Sequence, residues 1–145
     1  MLPPAWKLVL EKLAGRRSPA SLMPLALLSV VKLADVGRVK AGRVDLAEFE
    51  KAYAEFAASS ATKPGQGWQP FYHLSGRTGL WSLWKGNTAA DFSDMPKKRP
   101  SSGAALRSRV DHARLGNDLA RELERPETRA ALQKELAGMR TQLPS

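Results

Sequence analysis

The stretch at residues 24–34 limits the possible folds more than any other part of this sequence. It opens with Pro24, and nearly every face of a helix built from it would be apolar. Its large apolar residues are Leu25, Leu27, Leu28, Val30, Val31 and Leu33. A helix that is hydrophobic all round must be enclosed, either by other elements or by lipid. Because the stretch is shorter than the roughly 20 residues that cross a bilayer and contains Lys32, we expect a buried central helix.

The rest of the pattern predicts more helices and one small sheet. Apolar spacing and breaker residues indicate further helices at residues 5–14, 45–58, 104–112, 116–124 and 127–139. Two aromatic segments, 68–74 and 80–84, are separated by a Ser-Gly-Arg-Thr-Gly stretch, which favours a hairpin or paired turns. The predicted fold is mostly α with a small β-hairpin or sheet. We expect a compact single-domain helical bundle over residues 1–145, with 140–145 as a tail.

Composition argues against catalysis and against a bound metal. The chain has no cysteine, and His73 and His112 are its two histidines. Disulfides and thiolate metal sites are therefore excluded, and the histidines lack the spacing of a zinc motif. His112 falls at the end of a predicted helix, where we expect it at the surface. We predict no enzyme activity, no cofactor and no metal.

Charge favours a polyanionic partner. The formal net charge is +9, and the cations are concentrated in two places. Residues 12–44 hold one carboxylate, Asp35, among many lysines and arginines, and residues 97–99 read Lys-Lys-Arg. Such clustering is typical of a nucleic-acid contact, although a solvated basic surface gives a similar composition. Without a signal-peptide layout or a membrane span, we expect a soluble cytoplasmic protein.

The most specific signal is the aromatic element at residues 69–74, Gln-Pro-Phe-Tyr-His-Leu, followed by Thr-Gly-Leu-Trp at 78–81. One interpretation is structural, with Phe71 and Trp81 filling the core. The other is functional and places Pro70, Tyr72 and His73 at the rim of a binding site. For Tyr72 the two interpretations remain open.

These elements, in this order, resemble the sulfur-binding domain that precedes the HNH nuclease in phosphorothioation-dependent restriction endonucleases. The family has a proline before a leucine-rich helix, then a Tyr-Pro-Phe-aromatic-x-Leu element, an Asp-Gly-Leu/Phe-Trp element and a closing helix. Residues 24–31, 69–74, 78–81 and 124–132 resemble these in turn, and the match spans about 16–138. Gln69 replaces the family's tyrosine, Thr78 its aspartate, and Leu22 and Met23 its polar pair. The nuclease part is missing, so the chain is either a free-standing reader or part of a longer protein.

The resemblance implies a reader of phosphorothioated double-stranded DNA, working with a nuclease domain or subunit. A sulfur in place of a phosphate oxygen is larger and accepts hydrogen bonds poorly, so an apolar pocket favours it over oxygen. The implied pocket residues are Met23, Pro70, Phe71, Tyr72 and His73. The implied DNA contacts are Arg16, Arg17, Ser18, Gln69, Tyr72, His73, Lys97, Lys98 and Arg99.

This interpretation requires Pro70 to lie at the surface beside a basic concavity. If Pro70 were buried, the sequence would indicate only a basic helical domain of unassigned function. Two alternatives remain, a general nucleic-acid-binding module without sulfur preference and a protein-interaction domain of a restriction system.

Overall fold

The structure, a computed structural model, describes residues 2–14, 23–58, 68–76 and 80–142. Three predicted DNA contacts, Arg16, Arg17 and Ser18, lie outside the described residues, as do Thr78 and Gly79. The backbone of Met23 begins a helix, but its side chain also lies outside the described part.

The predicted fold class, mostly α with a small sheet, is confirmed. The described helices are α1 (Pro4–Ala14), α2 (Met23–Asp35), α3 (Leu46–Ala58), α4 (Trp68–Gly76), α5 (Gly103–Arg109), α6 (Asn117–Leu123) and α7 (Pro126–Gln142). The strands are β1 (Arg43–Asp45), β2 (Trp81–Lys85), β3 (Thr88–Ala89) and β4 (His112–Leu115), and a short 3-10 helix covers Pro96–Lys98. Helix α7 extends through Gln142, so the predicted tail from residue 140 was placed too early.

Helix α2 is the buried centre that its composition predicts. Its large apolar residues from Leu25 onward are buried, and it packs mainly against α3 and α7. Ser29 is fully buried and donates a hydrogen bond to the Leu25 carbonyl at 2.9 Å, so its hydroxyl needs no water. Lys32 lies on the outer side and pairs with Glu55 of α3.

The four strands form an antiparallel sheet in the order β1-β4-β2-β3. Its inner face consists of buried apolar residues, among them Val44, Leu83 and Ala113, which lie side by side across the three longer strands. Its outer face carries polar and aromatic residues, as the two-residue period of a half-buried sheet requires.

The predicted hairpin of residues 68–74 with 80–84 is wrong, because residues 68–76 are helical. Pro70 lies in the first turn of α4, where a missing backbone N–H costs no hydrogen bond. Strand β2 pairs instead with β4 and β3. Strand β4 was predicted in part as helix, yet α5 ends at Arg109 and the chain runs extended from Val110.

An aromatic cluster fixes α4 against α3 and β2. Phe71 lies between Phe49 and Trp81, with ring centroids 5.1 Å and 4.8 Å away. The Trp81 indole nitrogen donates to the Phe71 carbonyl at 3.0 Å. Packing of aromatic rings at such distances adds stability beyond their buried area. The orientation of α4, and of the side chains on its other face, follows from this cluster.

Within the described ranges, no helix combines the length and hydrophobicity needed to cross a membrane.

Candidate nucleic-acid interface

A cleft of about 420 Å³ lies between α4 and the loop that contains the 3-10 helix. Residues from both segments line it: Trp68, Gln69, Tyr72, His73, Pro96, Lys97, Arg99, Pro100 and Ser101. Five of the residues predicted from sequence, Gln69, Tyr72, His73, Lys97 and Arg99, therefore meet in one concavity. Among the described residues that line it, none is a carboxylate.

One wall of the cleft is a face of α4. Trp68 and Tyr72 are four residues apart, as are Gln69 and His73, so each pair is adjacent on the helix surface. Tyr72 is half-buried, and its ring packs edge-on against Phe92 at 5.6 Å. This wall combines aromatic carbon with the amide and imidazole groups of Gln69 and His73.

The other wall is the basic loop, residues 96–101. Lys97 and Lys98 both have positive φ angles, 56° and 55°, a conformation that costs energy in residues other than glycine. Lys97, Lys98 and Arg99 are exposed, and none forms an ion pair with the residues that the structure describes. Their charges are available to an external anion.

The two carboxylates just before the basic loop are already bound. Asp94 accepts two hydrogen bonds from Arg109, and these bonds hold the pKa of Asp94 below its usual value. Asp91 accepts from the Ser93 backbone N–H at 2.9 Å, which lowers the pKa of that carboxyl as well. Both groups are ionised at neutral pH.

Helix α5 packs closely on α4 below the cleft. Its cap, Ser102, accepts a hydrogen bond from the Ala105 N–H at 3.1 Å. The next residue, Gly103, is buried, and a Cβ there would lie 3.0 Å from Cδ1 of Trp68. Glycine at this position lets the start of α5 approach the indole that lines the cleft.

The structure corrects the predicted sulfur pocket. Pro70 is buried and does not line the cleft, and Phe71 is completely buried. Pro70, Phe71 and Leu74 fall on the core side of α4, because residues three and four apart share a helix face. The prediction that Pro70 and Phe71 form the pocket wall is wrong, and with Pro70 buried the motif comparison indicates only a basic helical domain of unassigned function. A sulfur preference therefore has to depend on the cleft itself, whose lining prolines are Pro96 and Pro100.

Sequence reasoning missed four lining residues: Trp68, Pro96, Pro100 and Ser101. A signal was present for three of them. Pro96 and Pro100 bracket the Lys-Lys-Arg run, and Trp68 stands one helical turn before Tyr72. Ser101 had no distinguishing signal, since serine beside a helix start is ordinary.

His112 is also placed differently from its prediction. It lies on β4 and is fully buried rather than at the surface of a helix. Its Nδ1 contacts Asp111, and its Nε2 accepts from Arg114 Nε at 3.0 Å. No group of three or more histidine, aspartate or glutamate residues that could hold a metal occurs in the described residues.

The sequence matches no protein-family model, and no curated protein is significantly similar to it. The resemblance to the sulfur-binding domain therefore depends on the order of the motifs alone.

Proposed function

We propose that this chain is a DNA-binding module that receives the sugar-phosphate backbone in the cleft between α4 and the basic loop, with a preference for a phosphorothioate linkage. One observation carries the proposal. The cleft brings Tyr72 and His73 to face Lys97 and Arg99, and the described part of its lining contains no carboxylate.

The cations supply affinity that does not depend on base sequence. Each phosphate that a lysine or arginine neutralises releases counterions. For each such contact, the logarithm of the binding constant falls by about 0.9 for every tenfold rise in salt concentration. Lys97 and Arg99 line the cleft, whereas Lys98 is exposed on the same loop outside its lining, so the loop offers two contacts in the cleft and a third beside it. His73 lies on the opposite wall, where its imidazole N–H would donate a hydrogen bond to a phosphate oxygen.

The apolar part of the cleft supplies the sulfur preference. Carbon atoms of Tyr72, Pro96 and Pro100 line the same space as the cations. An oxygen placed against such a wall loses water without a replacement hydrogen bond, at a cost of roughly 1–3 kcal/mol, whereas sulfur loses little. That difference corresponds to about ten- to hundredfold in affinity.

The size of the cleft also limits how the sulfur is held. One water-sized atom needs about 10–15 Å³ of cavity volume, far less than the 420 Å³ of the cleft. The cleft therefore accommodates a whole linkage with part of a neighbouring sugar, and the sulfur contacts one wall rather than a closed pocket.

The proposal is tested by titrating one duplex in three forms: with an ordinary linkage, and with a single sulfur in each of the two stereoisomers. We expect all three to bind and one sulfur form to bind about tenfold more tightly than the oxygen form. Binding of the oxygen form alone, or of none, would overturn the proposal.

A second candidate is a general nucleic-acid-binding module without sulfur preference. The burial of Pro70 favours it, because the proline wall that the resemblance implied is not at the surface. Equal affinity for the three duplexes, with a salt dependence that involves the basic loop, identifies this function instead.

A further inference from the structure

Arg114 occupies a fixed position on the outer face of the sheet. It lies on β4 and is half-buried. Its Nε donates to His112 Nε2 at 3.0 Å, one Nη donates to the Gly86 carbonyl at 3.3 Å, and the guanidinium lies 4.0 Å from the centre of the Trp84 ring. Three contacts from two strands and a turn hold the group in one orientation.

These contacts leave the charge of Arg114 without a counter-ion. Within the described part of the chain it forms no ion pair, and two of its five N–H donors have acceptors. His112 serves as an acceptor through Nε2, so its proton is on Nδ1, directed at Asp111. The other three N–H donors of Arg114 have no acceptor among the residues that the structure describes.

The neighbours of Arg114 in the sheet do not neutralise it. Arg43 lies directly opposite on β1, and Ser82 lies opposite on β2. Like charges in directly opposed positions of a sheet are destabilising. The two carboxylates of this face have other partners, since Asp45 binds Arg43 at 3.0 Å and Asp111 binds His112 and the Gly86 N–H.

The surface around Arg114 is an open, shallow depression. Its polar lining consists of Ser82, Arg114 and Asn117, and the remaining lining residues are Leu80, Trp81, Trp84, Leu115 and Gly116. A fixed guanidinium with free donors is well suited to a phosphate, because little conformational entropy is lost when it binds. An open surface with hydroxyl and amide groups at its edge suits an extended chain of phosphates better than a small enclosed anion.

We infer that the outer-face site, formed by Arg114 with Ser82 and Asn117, binds a phosphate of a nucleic-acid backbone as a second contact separate from the cleft. The inference rests on the proposed function for the kind of partner, but not on the sulfur preference.

The four tryptophans allow both surfaces to be tested in one experiment. The indole N–H of Trp6 donates to Leu119, so Trp6 reports on the core. That of Trp81 donates to Phe71, but Trp81 also lines the depression around Arg114 and is therefore not a control. Trp68 lines the cleft, and Trp84 stacks under Arg114 and donates to Ser82. Each indole N–H gives one cross-peak in a ¹H–¹⁵N spectrum.

The spectrum is recorded while a short unmodified duplex is added. We expect the peaks of Trp68 and Trp84 to shift together, and that of Trp6 to stay in place. A shift of Trp68 alone overturns the outer-face site and leaves the proposed function intact. A shift of Trp84 alone supports the outer-face site and contradicts the cleft, and no shift of either contradicts both.

A substitution gives an independent readout. Arg114→Gln removes the charge, whereas Lys134→Gln removes the same charge from an exposed position on α7. We expect Arg114→Gln to reduce the slope of log affinity against log salt concentration by about 0.9, which corresponds to one phosphate contact. The ratio of sulfur to oxygen affinity should stay unchanged. Thermal unfolding of both variants identifies any loss of folding, and Arg114→Lys retains the charge if the fold requires one. Equal behaviour of Arg114→Gln and Lys134→Gln in folded protein would overturn the inference.

Discussion

Arg109 binds Asp94 through two parallel hydrogen bonds, each with a nitrogen–oxygen distance of 2.7 Å. A third bond, to the Asp91 carbonyl at 3.0 Å, comes from the same guanidinium. Since Arg109 ends α5 and Asp94 lies just before the basic loop, this pair ties the loop to the helix that packs on α4. The position of Lys97 and Arg99 relative to Tyr72 depends on it.

The Asp94→Asn substitution distinguishes the role of Asp94 in positioning the basic loop from the effect of its negative charge. The substitution makes the protein more positive, so electrostatics alone predicts tighter binding to DNA. We expect weaker binding, by about two- to fivefold, because the loop loses the bidentate pair that positions it. The measurement is the affinity for an unmodified duplex at fixed salt. Asp118→Asn on α6 adds the same charge without touching the loop, and tighter binding of both variants would contradict the positioning role.

The free energy of unfolding should fall at acid pH, because the carboxylates of Asp94 and Asp111 form hydrogen bonds in the folded protein. Hydrogen bonds from Arg109 lower the pKa of Asp94. Burial raises the pKa of Asp111, but hydrogen bonds from His112 and the Gly86 N–H outweigh it and lower the pKa overall. Below the usual aspartate value of 3.8, the unfolded chain binds more protons than the folded one, so the free energy of unfolding falls as the pH drops.

Urea unfolding at a series of pH values from about 5 to about 2 checks this prediction. The wild type should lose stability progressively across that range, and Asp94→Asn should show a shallower loss, because one of the linked carboxylates is gone. Identical pH profiles would show that the Asp94–Arg109 pair does not contribute to folding.

Substitutions at Tyr72 and Pro70 are predicted to differ in their effect on the sulfur preference. Tyr72→Ser removes apolar surface from the cleft, and we expect the ratio of sulfur to oxygen affinity to fall roughly three- to tenfold while binding of the oxygen duplex changes less. Pro70→Ala alters a buried residue and should leave that ratio unchanged. Parallel titrations measure both ratios. A lower ratio for Pro70→Ala with an unchanged ratio for Tyr72→Ser would contradict the cleft and indicate a sulfur pocket beside Pro70.

Phe71 is predicted to act in stability and not in recognition. It is fully buried within the aromatic cluster, so Phe71→Ala should lower the free energy of unfolding by about 3–5 kcal/mol. Leu8, which is 53% exposed, provides the control. Leu8→Ala should change the free energy of unfolding by under about 0.5 kcal/mol. Urea unfolding measures both. A small effect at Phe71 would show that the cluster does not anchor α4.

The long helices could be predicted from sequence because their periodicity extends over several turns. Residues 24–34 admit one arrangement, a buried helix, whatever surrounds them. The segment at 68–76 is too short for that, and its aromatic residues suit a strand as well as a helix. Its helical state depends on contacts between Phe71 and Trp81, which are ten residues apart and meet only in the folded chain.

The cleft was predictable in its parts but not as a site. Tyr72 and His73 were identified from an aromatic motif, and Lys97 and Arg99 from a charge cluster. Their proximity depends on the Asp94–Arg109 pair and on Gly103, neither of which has a sequence signal. The burial of Pro70 depends on the helical phase of α4, and predicting a hairpin there assigned the wrong residues to the surface.

The salt dependence of DNA affinity tests the central claim most directly. Lys97, Lys98 and Arg99 are replaced together by glutamine, and the comparison protein has Lys7, Lys51 and Lys134 replaced, which are exposed lysines on three helices. The account predicts that the loop variant loses about two to three logarithmic units of salt slope, whereas the comparison protein keeps the slope of the wild type. Equal slopes for all three proteins would contradict a DNA contact at this cleft.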